Sequence, residues 1–159
     1  MTRRAKVERK TTETEIVIEV NLDGTGNGEI STSIPFFDHM LGLVARHGFF
    51  NLIVEGKGDT DVDYHHLIED IGICLGEAVK KALGNKEGIN RYGSAVVPMD
   101  ESLCSVDLDI SGRSYLVFNV DFGQKKIRDF DPELFMDFFK SWQRYLREPL
   151  FEMEQLQSY

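Results

Sequence analysis

The sequence predicts an α/β (α+β) chain, an internally duplicated unit of sheet and helices whose second copy is incomplete. Three observations carry this expectation. Apolar residues alternate along short runs in both halves, as in strands covered on one face. Other runs repeat their apolar residues every three or four positions, as one face of a helix does. The two halves also share a pattern. Leu22-Asp23-Gly24-Thr25-Gly26 corresponds to Leu108-Asp109-Ile110-Ser111-Gly112, each between two strand-like runs, and Phe37-Asp38 before a helical face corresponds to Met136-Asp137.

In chain order, Thr14 to Leu22 places Ile16, Ile18, Val20 and Leu22 on one side of a strand. Asp23 to Gly28 supplies the glycines of a reversal, and Glu29 to Ile34 alternates again, so a hairpin is expected. Phe36, Phe37, Met40, Leu41 and Val44 have helical spacing, with Pro35 suited to the first turn and Gly48 just past the end. Phe49 to Glu55 reads as a third strand and Gly56 to Asp63 as an acidic loop. From His65 to Leu83 the apolar positions are again helical, and Gly84 is the stop. In the second half, strands are expected near Ser94 to Pro98, Leu103 to Asp109 and Ser114 to Phe122. A helix follows from about Pro132, with Leu134, Phe135, Phe138, Phe139, Trp142 and Leu146 on its apolar face. Glu148 to Tyr159 reads as containing neither a strand-like run nor any histidine. Residues 1–84 therefore form the first half-repeat, 85–147 a partial second one, and 148–159 a tail outside the pattern.

Bulk properties exclude several classes. At 159 residues and 18.2 kDa the chain suffices for one domain or two small packed halves. A net charge of -9 argues against a nucleic-acid binder that relies on diffuse positive charge, so an anionic substrate would need local arginines. No apolar run approaches the roughly 18 residues of a membrane span, and the charged opening lacks the apolar middle of a secretion signal. Cys74 and Cys104 share no CxxC spacing; buried free thiols in a reducing cytoplasm are expected.

All four histidines fall between Phe36 and Asp70, beside Asp38, Asp63, Glu69 and Asp70. A lone histidine on a helix is more often an ordinary core or surface residue. Adjacent His65 and His66, with Glu69 four residues after the first and His39 on a separate helix, favour a divalent-metal set, because neutral imidazole and carboxylate commonly ligate together. The i,i+4 spacing puts His65 and Glu69 about 6 Å apart on one face, with His66 turned about 100° away. His47, at a helix end, more simply favours the helix C-terminus electrostatically. Arg91 and Arg113 follow turn signals, where arginines can grip phosphate by paired hydrogen bonds, although either alone reads as a surface charge. Composition alone marks Glu13 as a solvated charge.

Several motifs together resemble a known family. Arg9-Lys10-Thr11-Thr12-Glu13-Thr14, Leu22 to Gly26, Phe36-Phe37-Asp38-His39-Met40-Leu41 and Asp63-Tyr64-His65-His66-Leu67-Ile68-Glu69-Asp70 fall in order. Gly88-Ile89-Asn90-Arg91, Met99-Asp100-Glu101 and Ser111-Gly112-Arg113 follow. From about residue 3 to about residue 141 the chain resembles imidazoleglycerol-phosphate dehydratase of histidine biosynthesis. The resemblance implies a four-stranded sheet and two helices per half, helices packed together between halves, and homo-oligomers: trimers assembled into a shell of twenty-four chains. It implies two manganese ions (Mn2+) flanking the substrate imidazole, with His39, His65, His66 and Glu69 as metal ligands. Glu13 becomes the acid/base; Arg91 and Arg113 hold phosphate, and Glu13, His39 and His65 also meet substrate. The implied reaction dehydrates D-erythro-imidazole-glycerol phosphate to imidazole-acetol phosphate, with no nucleic-acid or membrane partner. A metal-bound imidazole ring deprotonates more easily, which helps expel the neighbouring hydroxyl and makes the next C–H acidic enough for a carboxylate.

The chain departs from that family after Lys140. The isolated second-half histidine, the second His-His-x-x-Glu helix and the distal serine and lysine are absent. A shifted reading frame or truncation is the expected cause. With half the ligands gone, ion affinity and turnover are expected to collapse unless another chain completes the site. The alternative is a non-catalytic module that folds and self-associates without turnover.

Overall fold

The computed structural model describes residues 2–111, 115–123, 126–146 and 149–158. The first half runs β1 (Arg4–Lys10), β2 (Thr14–Asn21), β3 (Gly28–Ser31), α1 (Pro35–Gly48), β4 (Asn51–Gly58) and α2 (His65–Leu83). The second runs β5 (Tyr92–Met99), β6 (Ser102–Ile110), β7 (Tyr115–Asn119), α3 (Leu134–Leu146) and β8 (Pro149–Ser158).

The two sheets have one topology, β1-β2-β4-β3 and β5-β6-β8-β7. In each, the first two strands pair antiparallel, the second pairs antiparallel with the last, and the third runs parallel to the last across the intervening helix. This is the expected duplication.

Two expectations need correcting. The reversal at residues 23–28 does not close a hairpin, because β2 lies between β1 and β4, and β3 pairs only with β4. The true hairpin is β1–β2, whose first strand is mostly charged and so hides its alternation. The tail is also not outside the pattern. Residues 149–158 form β8, inserted between β6 and β7, so the second sheet has four strands like the first. The adjacent polar pair Glu154-Gln155 breaks the alternation of Phe151-Glu152-Met153 and lowers its strand propensity; ladders on both sides outweigh that. Only a counterpart of α2 is missing among the described residues.

The core is shared. Ile16, Ile18 and Val20 of β2, Leu52 and Val54 of β4, and Leu67, Ile68 and Ile71 of α2 are almost fully buried, as the sequence alternation requires. Phe37 of α1 stacks near Phe130 and meets Phe138 of α3 edge-on at 5.5 Å. β4 runs three residues beyond Glu55, because Gly56 and Gly58 lie under α2. A Cβ on either would sit 3.1–3.3 Å from Leu67 or Ile71. On its other side α2 carries Gly72 and Gly76, against which the backbone of α3 packs. Every residue of β5 is exposed.

Candidate active site

Three short segments build the site: the β1–β2 turn, the loop after β4 and the start of α2. The turn is closed by the Thr11 amide donating to the Thr14 carbonyl at 2.9 Å, and it holds Glu13 at its exposed tip. At the start of α2, Asp63 accepts the His65 backbone N–H at 2.8 Å, relieving one of the unpaired donors of a helix N-terminus. Helical spacing then brings His65 Nε2 to 3.5 Å from Glu69 Oε2. The other Glu69 oxygen receives the Ser141 hydroxyl of α3 at 3.4 Å, so the second half steadies this carboxylate.

His66, one residue on, faces elsewhere. Its Nδ1 stands 3.0 Å from Asp59 Oδ2, just past the end of β4. That hydrogen bond holds the imidazole above its ordinary pKa, with the Glu13 and Asp63 charges adding to the effect.

Glu13, His66 and Glu69 line one cleft of about 310 Å³, together with Arg9, Asp70 and Tyr145. The other expected ligands lie apart from it. His65 faces an acidic cleft of about 480 Å³ with Asp129, Asp131 and Glu133, and the Tyr64 hydroxyl crosses its rim to donate to Asp129. That bond raises the Tyr64 pKa and lowers that of Asp129. His39 lines a third cleft of about 400 Å³ with Phe36, Arg128 and Phe130.

Arg91 lines none of these clefts. It donates to Asp109 at 2.6 and 3.1 Å, repeating the clamp of Arg3 on Asp23 in the first half, and the Asp109 hydrogen bond raises its pKa. Arg113 lies outside the described residues. His47 is exposed in the last turn of α1, away from these clefts.

Of the neighbouring carboxylates, three do structural work. Asp38 accepts the Thr32 amide and hydroxyl at the β3–α1 corner, Asp63 opens α2, and Asp70 is buried. Asp59, the partner of His66, had no sequence signal beyond membership of an acidic loop. Tyr145 had none, since it sits off the apolar face of α3.

The ion implied by the family resemblance can be tested against this geometry. Imidazole and carboxylate are suitable donors for manganese, yet among the described residues no three His, Cys, Asp or Glu side chains converge on one point. Among the described residues the donors come in separate pairs, His65 with Glu69 and His66 with Asp59, with His39 in another cleft. The described residues of one chain therefore do not fit a resident ion. Both cysteines are free, and no helix among the described residues is long and apolar enough to cross a membrane.

Comparison with known proteins gives a consistent match. A family model described as imidazoleglycerol-phosphate dehydratase matches residues 32–150. The imidazoleglycerol-phosphate dehydratase of Syntrophus aciditrophicus is 57% identical over 141 residues, 88% of this chain and 72% of that protein. That of Geobacter sulfurreducens is likewise 57% identical over 141 residues, 89% of this chain and 72% of its own length. Among solved structures, the Staphylococcus aureus imidazoleglycerol-phosphate dehydratase superposes with a TM-score of 0.86 at 32% identity, covering 98% of this chain and 85% of that one. The Pyrococcus furiosus structure, in complex with (S)-C348, gives 0.81 at 34% identity, covering 96% and 80%.

Proposed function

The chain belongs to the imidazoleglycerol-phosphate dehydratase family, and from that premise we propose that its first half forms one wall of a dehydration site completed by neighbouring copies. The family reaction belongs to histidine biosynthesis. The observation that carries the reading is the shared cleft of Glu13, His66 and Glu69, which places a carboxylate on a turn opposite an imidazole and a carboxylate on a helix.

The reaction asks for two bond cleavages. The carbon beside the substrate imidazole loses its hydroxyl, the next carbon loses a proton, and the resulting enol becomes the ketone with net loss of water. Glu13, exposed and at the cleft edge, is the group we assign to take that proton. A carboxylate suits this role once the adjacent C–H is acidified. Arg91 and Arg113 are assigned to the phosphate; for Arg91 this means sharing its guanidinium with Asp109.

Manganese binding is assigned to His39, His65, His66 and Glu69 from more than one copy, because one chain offers only pairs of donors. Homo-oligomers, trimers or larger shells, follow from that assignment, as does a reducing cytoplasmic setting, which the two free thiols support.

The second reading is a folded module without turnover. The exposed β5 and, among the described residues, the absence of an α2 counterpart over β5 and β6 favour it. One experiment separates the two: elemental analysis and solution mass of the purified chain, with an assay for imidazole-acetol phosphate in the presence of manganese. Turnover by an oligomer that retains manganese supports the first reading. A metal-free, inactive protein establishes the second.

A further inference from the structure

We propose that Asp70, Thr14 and Thr11 form a positioning relay that locks the Glu13-bearing turn onto helix α2; the inference rests on Glu13 being the acid/base of the site. The motif Arg9 to Thr14 contributes only Glu13 to the chemistry above. Of its other residues, Arg9, Thr11 and Thr14 have partners in the core and the turn that account for them.

The relay starts in the core. Asp70 and Thr14 are 9% and 4% exposed. One Asp70 oxygen accepts from Arg9 Nε at 2.9 Å, and the other accepts the Thr14 hydroxyl at 2.5 Å. The Thr14 hydroxyl is the donor in that contact, so its one proton is committed to Asp70. The Thr14 oxygen is then the acceptor in its 3.1 Å contact with Thr11, whose proton is thereby committed as well. Thr11 Oγ1 keeps only acceptor capacity. Two backbone donors fill it, the amides of Glu13 at 3.1 Å and Thr14 at 2.9 Å.

One buried carboxylate therefore sets the direction of both hydroxyl donations that link α2 to the turn, Thr14 to Asp70 and Thr11 to Thr14. The consequence reaches the cleft. Asp70 directly follows Glu69, and His66 lies one helical turn earlier, so the residue that orients the turn is part of the helix that presents the other two groups. Neither hydroxyl has a free proton with which to hold a second arrangement, and Arg9 occupies the other oxygen of Asp70. Asp70 and Thr11 also line the cleft, but in this assignment they and Thr14 act through the position of Glu13.

Three variants test the relay: Thr11→Val, which keeps the shape and removes the oxygen, Thr11→Ser, which restores it, and Asp70→Asn, whose NH2 must face either Arg9 or Thr14 as a second donor. Amide hydrogen exchange at Glu13 and Thr14 is expected to quicken about tenfold in Thr11→Val and Asp70→Asn and to return in Thr11→Ser, with β2 amides from Val17 to Val20 unchanged. The His66 ring resonances, which sense the Glu13 carboxylate, are expected to shift and return in the same pattern. In preparations that turn over, Thr11→Val lowers kcat about tenfold with KM held within twofold, because base placement changes and substrate contacts do not. Unchanged exchange in Thr11→Val overturns the relay. Faster exchange with unmoved His66 resonances, or with unmoved kcat, overturns its role in positioning Glu13. A chain that shows no turnover refutes the dehydratase activity alone, and the exchange and resonance results, with the serine rescue, still decide the relay.

Discussion

Replacing glycine by alanine in two helices of this protein should change stability in opposite directions. Gly42 in α1 has no heavy atom within 4 Å of the place where a Cβ would stand. Gly42→Ala therefore gains only the helix propensity difference, about 0.8–1.0 kcal/mol. Gly76 in α2 is different. A Cβ there would lie 2.4 Å from the Trp142 carbonyl oxygen and 2.9 Å from the Leu146 nitrogen, both backbone atoms of α3 that no rotamer change can move. Restoring ordinary contact of about 3.5 Å requires α3 to retreat by about 1 Å. Overpacking of this kind costs about 1–3 kcal/mol, and a rigid backbone obstacle on both atoms favours the upper part of that range. After subtraction of the propensity gain, Gly76→Ala should lose about 1–2 kcal/mol. For a domain of this size, about 2–4 °C per kcal/mol gives a rise of about 2–4 °C for Gly42→Ala and a fall of about 2–8 °C for Gly76→Ala. Thermal denaturation followed by circular dichroism at matched concentration measures both. The displacement should also loosen the Ser141–Glu69 contact and widen the cleft beside Tyr145. A Gly76→Ala protein as stable as the parent would refute the close approach of α2 and α3.

Other consequences concern titration, thiols and association. The bond from Asp59 raises the His66 pKa, so its contribution to stability is fully present below the unfolded value of about 6.5 and lost as pH rises through the folded value. Asp59→Asn should lower the His66 titration midpoint measured by NMR in chelator and flatten that pH dependence; an unmoved midpoint counts against the pair. Burial pushes the Cys74 thiol up to about 12, whereas Cys104 is partly exposed. At pH 8 a thiol reagent should label Cys104 in the native protein and Cys74 only on unfolding, and mass spectrometry showing equal rates would contradict the burial. Val97 is 61% exposed on the edge strand β5, so the chain should self-associate there and Val97→Lys should shift sedimentation toward smaller species. A parent that already sediments as a monomer removes that expectation.

What the sequence determined by itself was local and chemical. Periodicity fixed which faces of β2 and α2 are buried, because a residue's burial on a regular element follows from its phase; in α1 and α3 it did so only in part, since Val44 is half exposed and Ser141 and Gln143 are buried. The clustering of His39, His65, His66 and Glu69, and the motif around Glu13, identified the family and its chemistry, since residue type is what carries acid, base and ligand properties. Tertiary structure decided the partners. Alternation along β3 could not say that it pairs parallel with β4 and leaves β2 alone, and the glycines that end a strand by propensity extend β4 here because α2 presses on them. The weakly patterned tail becomes a central strand only because β6 and β7 flank it. Asp59 reaches His66, whereas Asp38, Asp63 and Asp70 turn to the backbone and the core. For the strands the deciding contact joins segments distant in the chain, and for Asp59 and His66 it joins a loop to a helix; a one-dimensional pattern records burial without recording which neighbour provides it.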